Sequence, residues 1–436
     1  MKISVIGCGY LGAVHAACMA ELGHEVIGID VDASKIAALT GGHPPFFEPG
    51  LPELLSRAMA TGRLSFSTDI SAAAGSRVHF IAVGTPQREG THAADLTYVD
   101  AAVSSLAPHL APGDLVVGKS TVPVGTAERL AEFVHEAAPE AMLAWNPEFL
   151  REGFAVRDTV SPDRLVYGVP GDATGSLATE LLDAVYAAAL ARDTPRLVLD
   201  YATAELVKVA ANAFLATKIS FINAMAEIAE ATGADVTLLA DAIGHDARIG
   251  RKFLNSGLGF GGGCLPKDIR AFQARADELG VGSSLAFLGE VDAINLRRRD
   301  RMVDLTRETL GGSVVGKRVA VLGLAFKPNS DDVRDSPALD VASRLSAEGA
   351  IVVATDPEAI HTSRALYPDL DYVESAEAAA EGADAVLVLT EWAEYRELTP
   401  AALAGVASTV ILDGRNCLPR DRWEDAGWLY RSLGRP

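Results

Sequence analysis

Ile3-Ser4-Val5-Ile6-Gly7-Cys8-Gly9-Tyr10-Leu11-Gly12, closed by Asp30 after a second apolar run at 25–29, decides the fold. A strand-length segment runs into glycines spaced Gly-x-Gly-x-x-Gly, and an Ala-rich helical stretch follows to about Leu22. In a dinucleotide-binding turn each glycine has its own task. Gly7 makes the tight turn, Gly9 lets the backbone approach a pyrophosphate, and Gly12 lets the helix pack close to the strand. The helix N-terminus then faces the phosphates with unpaired N–H groups and the positive end of its dipole. Asp30 is placed to accept hydrogen bonds from the adenosine ribose hydroxyls and to repel a 2′-phosphate, which favours NAD over NADP. The alternative is a charged strand-end residue that touches nothing.

Further strand-length apolar runs follow at 78–83, 115–118 and 142–145, separated by stretches with helical patterning. Alternation of this kind predicts a parallel, doubly wound sheet. From about Ala202 to Ala231, Ala, Leu, Val, Ile and Phe recur at helical spacing, which predicts one long helix joining two halves. The opening theme then returns. Residues 317–323 resemble 1–7, residues 349–356 resemble 23–30, and 383–390 resemble 77–85, so a second α/β domain is expected from about residue 312. It lacks the full glycine fingerprint, and its ligand is therefore expected to differ from a second dinucleotide in the same pose. The expected class is α/β: two Rossmann-like doubly wound parallel-sheet domains joined by a long central helix, divided at 1–200, 201–300 and 301–436.

Composition bounds the possibilities. The chain has 436 residues, 49% hydrophobic and 22% charged, with 40 glycines and 21 prolines, as expected of a soluble globular protein rather than a disordered or fibrous one. No uncharged apolar run reaches the roughly 18 residues of a membrane span, and Met1-Lys2 leads straight into a strand, so neither anchor nor signal peptide is expected. Cys8, Cys18, Cys264 and Cys417 are scattered, which argues against a disulfide framework or a zinc site and for a cytoplasmic, reducing location without a bound metal. With 58 acidic against 38 basic residues, net charge −20, the overall field repels nucleic acid and anionic membranes. An anionic ligand must find a local positive cluster.

Gly259-Phe260-Gly261-Gly262-Gly263-Cys264-Leu265-Pro266-Lys267-Asp268 is the second unusual stretch, because glycine lets backbone approach a ligand closely. A lone cysteine is often a small buried hydrophobe. Pro266, however, suits the first turn of a helix, which places Cys264 at the positive dipole end with Lys267 nearby, both favouring thiolate. Asp268, four residues on, is expected to share a face with Cys264 and to orient water or take a proton. Lys208 and Asn212 are also four apart, on the long helix among apolar neighbours; the bland reading is a snorkelling lysine and a tolerated asparagine. Lys119-Ser120-Thr121 and Asn146-Pro147-Glu148-Phe149-Leu150-Arg151-Glu152 follow predicted strands, where open α/β sheets place their ligands. Glu148 and Glu152 have solvated loop acids as their alternative. Arg248, Arg251, Lys252, Lys267, Lys327, Arg334 and Arg415 stand near these places, which in so acidic a chain suggests a phosphate-bearing substrate.

Taken in order, GCGYLG, KSTVPVGT, NPEFLREG, RIGRKFLNSGLGFGGGCLPKD, GLAFKPNSDDVRDSP and DGRN resemble the nucleotide-sugar 6-dehydrogenases over nearly the whole chain, nearest to members acting on UDP-glucose. The resemblance implies oxidation of the sugar's C6 to a carboxylate with two NAD⁺, in a homodimer built on the long helix, with no nucleic acid or membrane partner. It makes Cys264 the nucleophile that holds the intermediate aldehyde, Lys208 and Asn212 the oxyanion stabilisers, Asp268 the group beside the cysteine, Glu148 a base for thioester hydrolysis and Thr121 the holder of a water. The implied cofactor contacts are Gly7, Gly9, Leu11, Gly12, Asp30, Lys35, Thr85, Thr121, Glu152, Lys267 and Arg334. Those implied for the nucleotide sugar are Glu148, Phe149, Leu150, Arg151, Glu152, Lys208, Asn212, Phe253, Leu254, Asn255, Ser256, Gly257, Gly261, Lys327 and Arg415, with Arg248 reaching the partner subunit's site. GDP-mannose, TDP-glucose and UDP-N-acetylmannosamine stay open as substrates. Gly263 stands where a bulkier residue is frequent, and Tyr10-Leu11 fill slots often held by other apolar pairs. A simple two-electron dehydrogenase needs no Cys264, and a non-catalytic sensor is expected to have lost Cys264, Lys208 or Asp268; all three are present.

Overall fold

The computed structural model describes residues 1–435. Two compact units divide the chain, one of residues 1–211 with 271–282, the other of residues 212–270 with 283 onward.

The first unit carries strands β1 (Lys2–Ile6), β2 (Glu25–Ile29), β3 (Leu64–Ser67), β4 (Val78–Ile81), β5 (Leu115–Gly118), β6 (Met142–Trp145), β7 (Leu165–Gly168) and β8 (Arg196–Leu199). They form an eight-stranded sheet in the order β3-β2-β1-β4-β5-β6-β7-β8. Strands β4 to β7 are buried along their whole length, which is why they read as continuous apolar runs rather than alternating ones. Pairing is parallel except between β6 and β7, which meet antiparallel at Trp145 and Gly168. The sheet is parallel and doubly wound as expected, with this one antiparallel pair as its exception. Only a short helix, Ala155–Val160, separates those two strands, too little to carry the chain back across the sheet as a full crossover helix does.

The chain leaves β1 in one direction for β2 and β3, then returns to β4 on its other side. The turn after β1 therefore lies at the switch point of the sheet, where doubly wound folds bind ligands. The Tyr10–Glu21 helix that follows is buried from Gly12 to Ala20, and small residues suit it because helices Leu51–Ala60 and Ala155–Val160 pack on it.

The second unit repeats the plan. Strands β9 (Arg318–Leu322), β10 (Ile351–Thr355), β11 (Asp371–Tyr372), β12 (Ala385–Val388), β13 (Val410–Asp413) and β14 (Leu429–Ser432) form a parallel sheet ordered β11-β10-β9-β12-β13-β14. Gly323 stands to β9 as Gly7 stands to β1: the Gly7 amide donates to the Ile29 carbonyl at 2.8 Å, and the Gly323 amide to that of Thr355 at 2.9 Å. Asp356 takes the place of Asp30, accepting from the Leu324 and Ala325 amides at 2.7 and 3.0 Å and from the Trp392 indole. No glycine-led helix follows β9; a loop leads to Ser336, which caps the Pro337–Ala347 helix.

Helix Tyr201–Thr232 runs for 32 residues, close to the predicted span. By length and composition alone it could cross a membrane, against the expectation that no segment would, though a core helix passes the same measure. Its buried positions include Glu205, Lys208 and Asn212, polar groups that a helix in lipid would not carry without partners.

Candidate active site

The glycine turn is built by packing at two positions and left open at the third. Gly7 has φ +92°, and a Cβ there would lie 2.8 Å from the Val83 amide nitrogen; a Cβ on Gly12 would collide with the Gly7 carbonyl. A Cβ on Gly9 would meet nothing within 4 Å. The protein's own packing thus requires Gly7 and Gly12, whereas bareness at Gly9 leaves room beside the helix N-terminus, where no side chain caps the first N–H groups. That arrangement, with Leu11 in the first turn, fits a dinucleotide pyrophosphate.

Asp30 is 9% exposed and far from idle. Its carboxylate accepts from the Cys8 amide at 2.8 Å, the Asp32 amide at 3.0 Å and the Lys35 ammonium at 2.8 Å. It therefore holds the glycine turn in shape, which excludes the alternative of a strand-end charge that touches nothing. Lys35 spends its charge on Asp30. The Thr85 hydroxyl donates to the Thr121 carbonyl at 2.8 Å, joining the loops after β4 and β5.

Past β5 and β6, Lys119 donates to Asn146 Oδ1 at 3.1 Å and lies 3.2 Å from the Tyr186 hydroxyl; burial pushes its ammonium down to about 8. Two residues beyond Asn146, Glu148 pairs through Oε1 with Lys208 Nζ at 2.9 Å and accepts the Leu150 amide at 2.6 Å. Lys208 is buried and stands 5.6 Å from the centre of the Phe149 ring, so it is no surface snorkeller. Arg151 is held by Asp158 at 2.8 and 2.7 Å, and Glu152 is half-buried.

Two acids here escaped the sequence reading. Glu48 is buried, accepts the Gly153 and Ala155 amides at 2.6 and 2.7 Å and bonds the Tyr10 hydroxyl, tying the glycine motif to the loop after β6. Glu205, also buried, accepts from Gly125 and Ala127. Neither has a signal in spacing, because each partner lies tens of residues away.

In the second unit the Asp268 amide donates to the Cys264 carbonyl at 2.9 Å, so Cys264 sits at the N-terminus of helix Leu265–Glu278, as Pro266 predicted. The thiol is exposed, but the Asp268 carboxylate is 3% exposed. Asp268 turns inward, accepting from Asn212 Nδ2 at 2.7 Å and Lys267 Nζ at 2.6 Å. Lys267 pairs with Asp268.

The glycines before Cys264 were expected to make room for a ligand. Several make room for the protein instead. A Cβ on Gly257 would lie 2.5 Å from the Gly414 carbonyl oxygen, one on Gly259 would strike Asn295, one on Gly261 the Asp335 carbonyl, and one on Gly263 the Arg334 guanidinium. Arg415 donates to the carbonyls of Leu389, Gly259 and Phe326 at 2.8, 2.9 and 3.3 Å, a strut under the glycine loop. Phe253 adopts φ +64°, Leu254 is buried, Asn255 accepts from Arg251 at 2.8 Å and Ser256 meets Asn416 at 3.2 Å. Arg248 is held by Asp246 on a side chain 89% exposed, and Arg334 by Asp332. Lys327 lies 5.1 Å from the Phe326 ring centre. Among the described residues no cluster of three or more His, Cys, Asp or Glu could hold a metal ion.

Residues 1–189 match the NAD binding domain, 202–297 the central domain and 320–420 the UDP binding domain of the UDP-glucose/GDP-mannose dehydrogenase family. A UDP-glucose 6-dehydrogenase of Rhizobium meliloti (strain 1021) is 43% identical over 440 residues, covering 100% of both chains. A solved UDP-glucose dehydrogenase from the hyperthermophilic archaeon Pyrobaculum islandicum is 41% identical with a TM-score of 0.89, covering 100% of this chain and 98% of that one. A solved UDP-D-ManNAc dehydrogenase from Pyrococcus horikoshii is similar in structure, with a TM-score of 0.85, 26% identity and coverage of 100% and 99%.

Proposed function

The chain belongs to the UDP-glucose/GDP-mannose dehydrogenase family, and on that premise we propose that it oxidises C6 of UDP-glucose from alcohol to carboxylate with two NAD⁺, giving UDP-glucuronate. One observation carries the four-electron reading: the Cys264 thiol at the N-terminus of a 14-residue helix, a position that favours an anion and that a two-electron dehydrogenase does not need. UDP-glucose is favoured over other nucleotide sugars by 41–43% identity to UDP-glucose enzymes against 26% to the UDP-D-ManNAc enzyme.

The Gly7, Gly9, Leu11 and Gly12 turn with Asp30, Lys35 and Thr85 would hold NAD, which would supply the hydride acceptor. The remaining chemistry falls to side chains. The Cys264 thiolate adds to the aldehyde carbon formed by the first oxidation, and Lys208 and Asn212 donate to the oxygen on which charge develops. Asp268, fixed by Asn212 and Lys267, orients groups beside the sulfur. Oxidation of the thiohemiacetal carbon leaves a thioester. Water held by Thr121 and deprotonated by Glu148 attacks it, the C–S bond breaks, and carboxylate and thiolate are released. Glu152, Lys267 and Arg334 complete the cofactor contacts.

For the nucleotide sugar we assign the 148–152 loop, Phe253 to Gly257, Gly261, Lys327 and Arg415. The Arg415 carbonyl bonds support a role in shaping the glycine loop as much as in meeting phosphate. A second copy of the chain is the assigned partner. Phe214, Phe221 and Ile228 recur every seven residues on the long helix and are 67%, 49% and 58% exposed, an apolar stripe suited to a facing helix, while Arg248 extends into solvent. Four scattered cysteines with none paired suit a reducing compartment, which supports a cytoplasmic location.

The deciding experiment counts NADH released per UDP-glucose consumed at limiting substrate. About two establishes the double oxidation. About one places the end point at the aldehyde, and release only with GDP-mannose, TDP-glucose or UDP-N-acetylmannosamine reassigns the substrate.

A further inference from the structure

Helix Thr126–Ala137 begins without a cap of its own. Its N-cap is Gly125, at φ +95° and without a side chain, so the amides of the first turn need an acceptor from elsewhere. Glu205 supplies it from 80 residues away, accepting the Gly125 amide at 2.8 Å and the Ala127 amide at 2.7 Å with a side chain 2% exposed. A Ser or Asp at the cap would satisfy an orphan amide locally, without burying a remote carboxylate. What the remote cap adds is a link between two elements.

The same turn is gripped from a third element. Arg275 donates through Nε and Nη2 to the Val124 carbonyl at 3.0 and 2.8 Å. Upstream, Ser120 Oγ donates to the Val83 carbonyl at 2.7 Å and the Thr121 carbonyl accepts from Thr85 at 2.8 Å. The 119–127 segment, which carries Thr121, is therefore pinned along its length. Glu205 lies three residues before Lys208, on the same helical face, and Lys208 meets Glu148 at 2.9 Å. Glu205 and Lys208 are thus one helical turn apart on a rigid helix, each anchored to a different loop of the sheet.

We infer that Glu205 is a positioning residue for the oxidation: its carboxylate sets the register of the long helix against the turn after β5, holding Lys208 and Thr121 in their working places. The inference rests on the reading of Lys208 and Thr121 under the proposed function. It assigns Glu205 no contact with substrate.

The test uses the full-length protein, with NADH formation from UDP-glucose, the Kd for NAD and the Tm read for each variant. Glu205→Gln keeps the shape but turns one of two acceptors into a donor facing an N–H. It is expected to lower kcat about 10- to 100-fold, the scale of a misplacement near 1 Å, with the NAD Kd and the KM for UDP-glucose changed less than about threefold. Glu205→Asp, which restores the charge one methylene short, is expected to recover part of the loss. Arg275→Met, on a part-exposed side chain, tests the same turn if Glu205→Gln does not fold, and is expected to lower kcat about 3- to 10-fold. Asp200→Ala, which removes an exposed cap from the start of the long helix, is the control for simple destabilisation and is expected to leave kcat unchanged.

A kcat within twofold of wild type in both Glu205→Gln and Arg275→Met overturns the inference, as does an equal kcat loss in Asp200→Ala at equal loss of Tm. If the wild-type chain oxidises no nucleotide sugar, the functional reading falls first and takes this one with it. An active wild type beside an unaffected Glu205→Gln removes only the positioning role.

Discussion

The Lys208 ammonium stands 2.9 Å from Glu148 Oε1, with 7% and 13% of the two side chains exposed. The proposed oxyanion stabiliser and the proposed base are thus one ion pair in the first unit. Removing either partner would leave the other largely buried without its counter-charge.

Lys208→Met is expected to lower kcat at least 100-fold, as loss of an oxyanion donor does, and to destabilise the fold by about 3 kcal/mol, because it strands the Glu148 carboxylate. Adding Glu148→Gln should return most of the stability and none of the activity. Urea titrations of the singles and the double separate the two effects. A double mutant no more stable than Lys208→Met would show that the pair is not coupled.

Cys264→Ser is expected to abolish net acid formation while the NAD Kd stays within twofold of wild type. Product analysis after long incubation with UDP-glucose and NAD reads this directly. Four-electron turnover in that variant would contradict the thiohemiacetal role.

Removing Asp30 acts on turn and cofactor together, because its carboxylate accepts from the Cys8 and Asp32 amides and from Lys35. Asp30→Ala should cost about 1–3 kcal/mol of stability by leaving buried donors unsatisfied. It should also weaken NAD binding and relax the discrimination against NADP. Calorimetric titration with both cofactors measures this, and unchanged NAD affinity would move the ribose contact elsewhere.

Glu205 gives a pH prediction in which stability and turnover move in opposite directions. Burial, outweighing the turn amides and the nearby Arg275 guanidinium, pushes its carboxyl from the ordinary 4.5 up to about 7. For a raised acid the native state holds the proton longer, so the stability it contributes is complete below about 4.5 and is lost as pH rises through 7. A rise of that size corresponds to about 3 kcal/mol. The ionised carboxylate, however, is the form that accepts from both Gly125 and Ala127. Turnover should therefore rise with pH through about 7 while the urea midpoint falls. Both trends should vanish in Glu205→Gln, and a kcat–pH profile unchanged in that variant would mean another group titrates.

Much of the fold was legible because its signals are local. Strands β2, β5 and β6 fall where apolar runs of strand length stand, the glycine turn is spaced as its packing demands, and the long helix follows helical periodicity to within a residue at each end. The position of Cys264 was equally local, since Pro266 suits a first helical turn and fixes where the helix begins. Resemblance then grouped Cys264, Lys208, Asn212, Asp268 and Glu148 into one chemistry.

Pairing across the fold was not legible, because spacing along a chain says nothing about residues that meet only after folding. Only tertiary structure showed that Glu148 spends its charge on Lys208, that Asp268 faces Asn212 and Lys267, and that Asp30 accepts from its own turn as well as from Lys35. It also showed that Arg415 supports the Gly259 carbonyl and that glycines expected to admit a ligand admit neighbouring backbone or side chains. Glu48 and Glu205 carry no local signature, since each serves amides some 80 residues or more away. The sequence by itself determined the main strands, the long helix, the glycine turn after β1 and the start of the helix behind Cys264, because these follow from periodicity, glycine spacing and local residue chemistry. Which charge each group faces was decided by folding, because a buried charge must find a partner wherever the packed chain brings one.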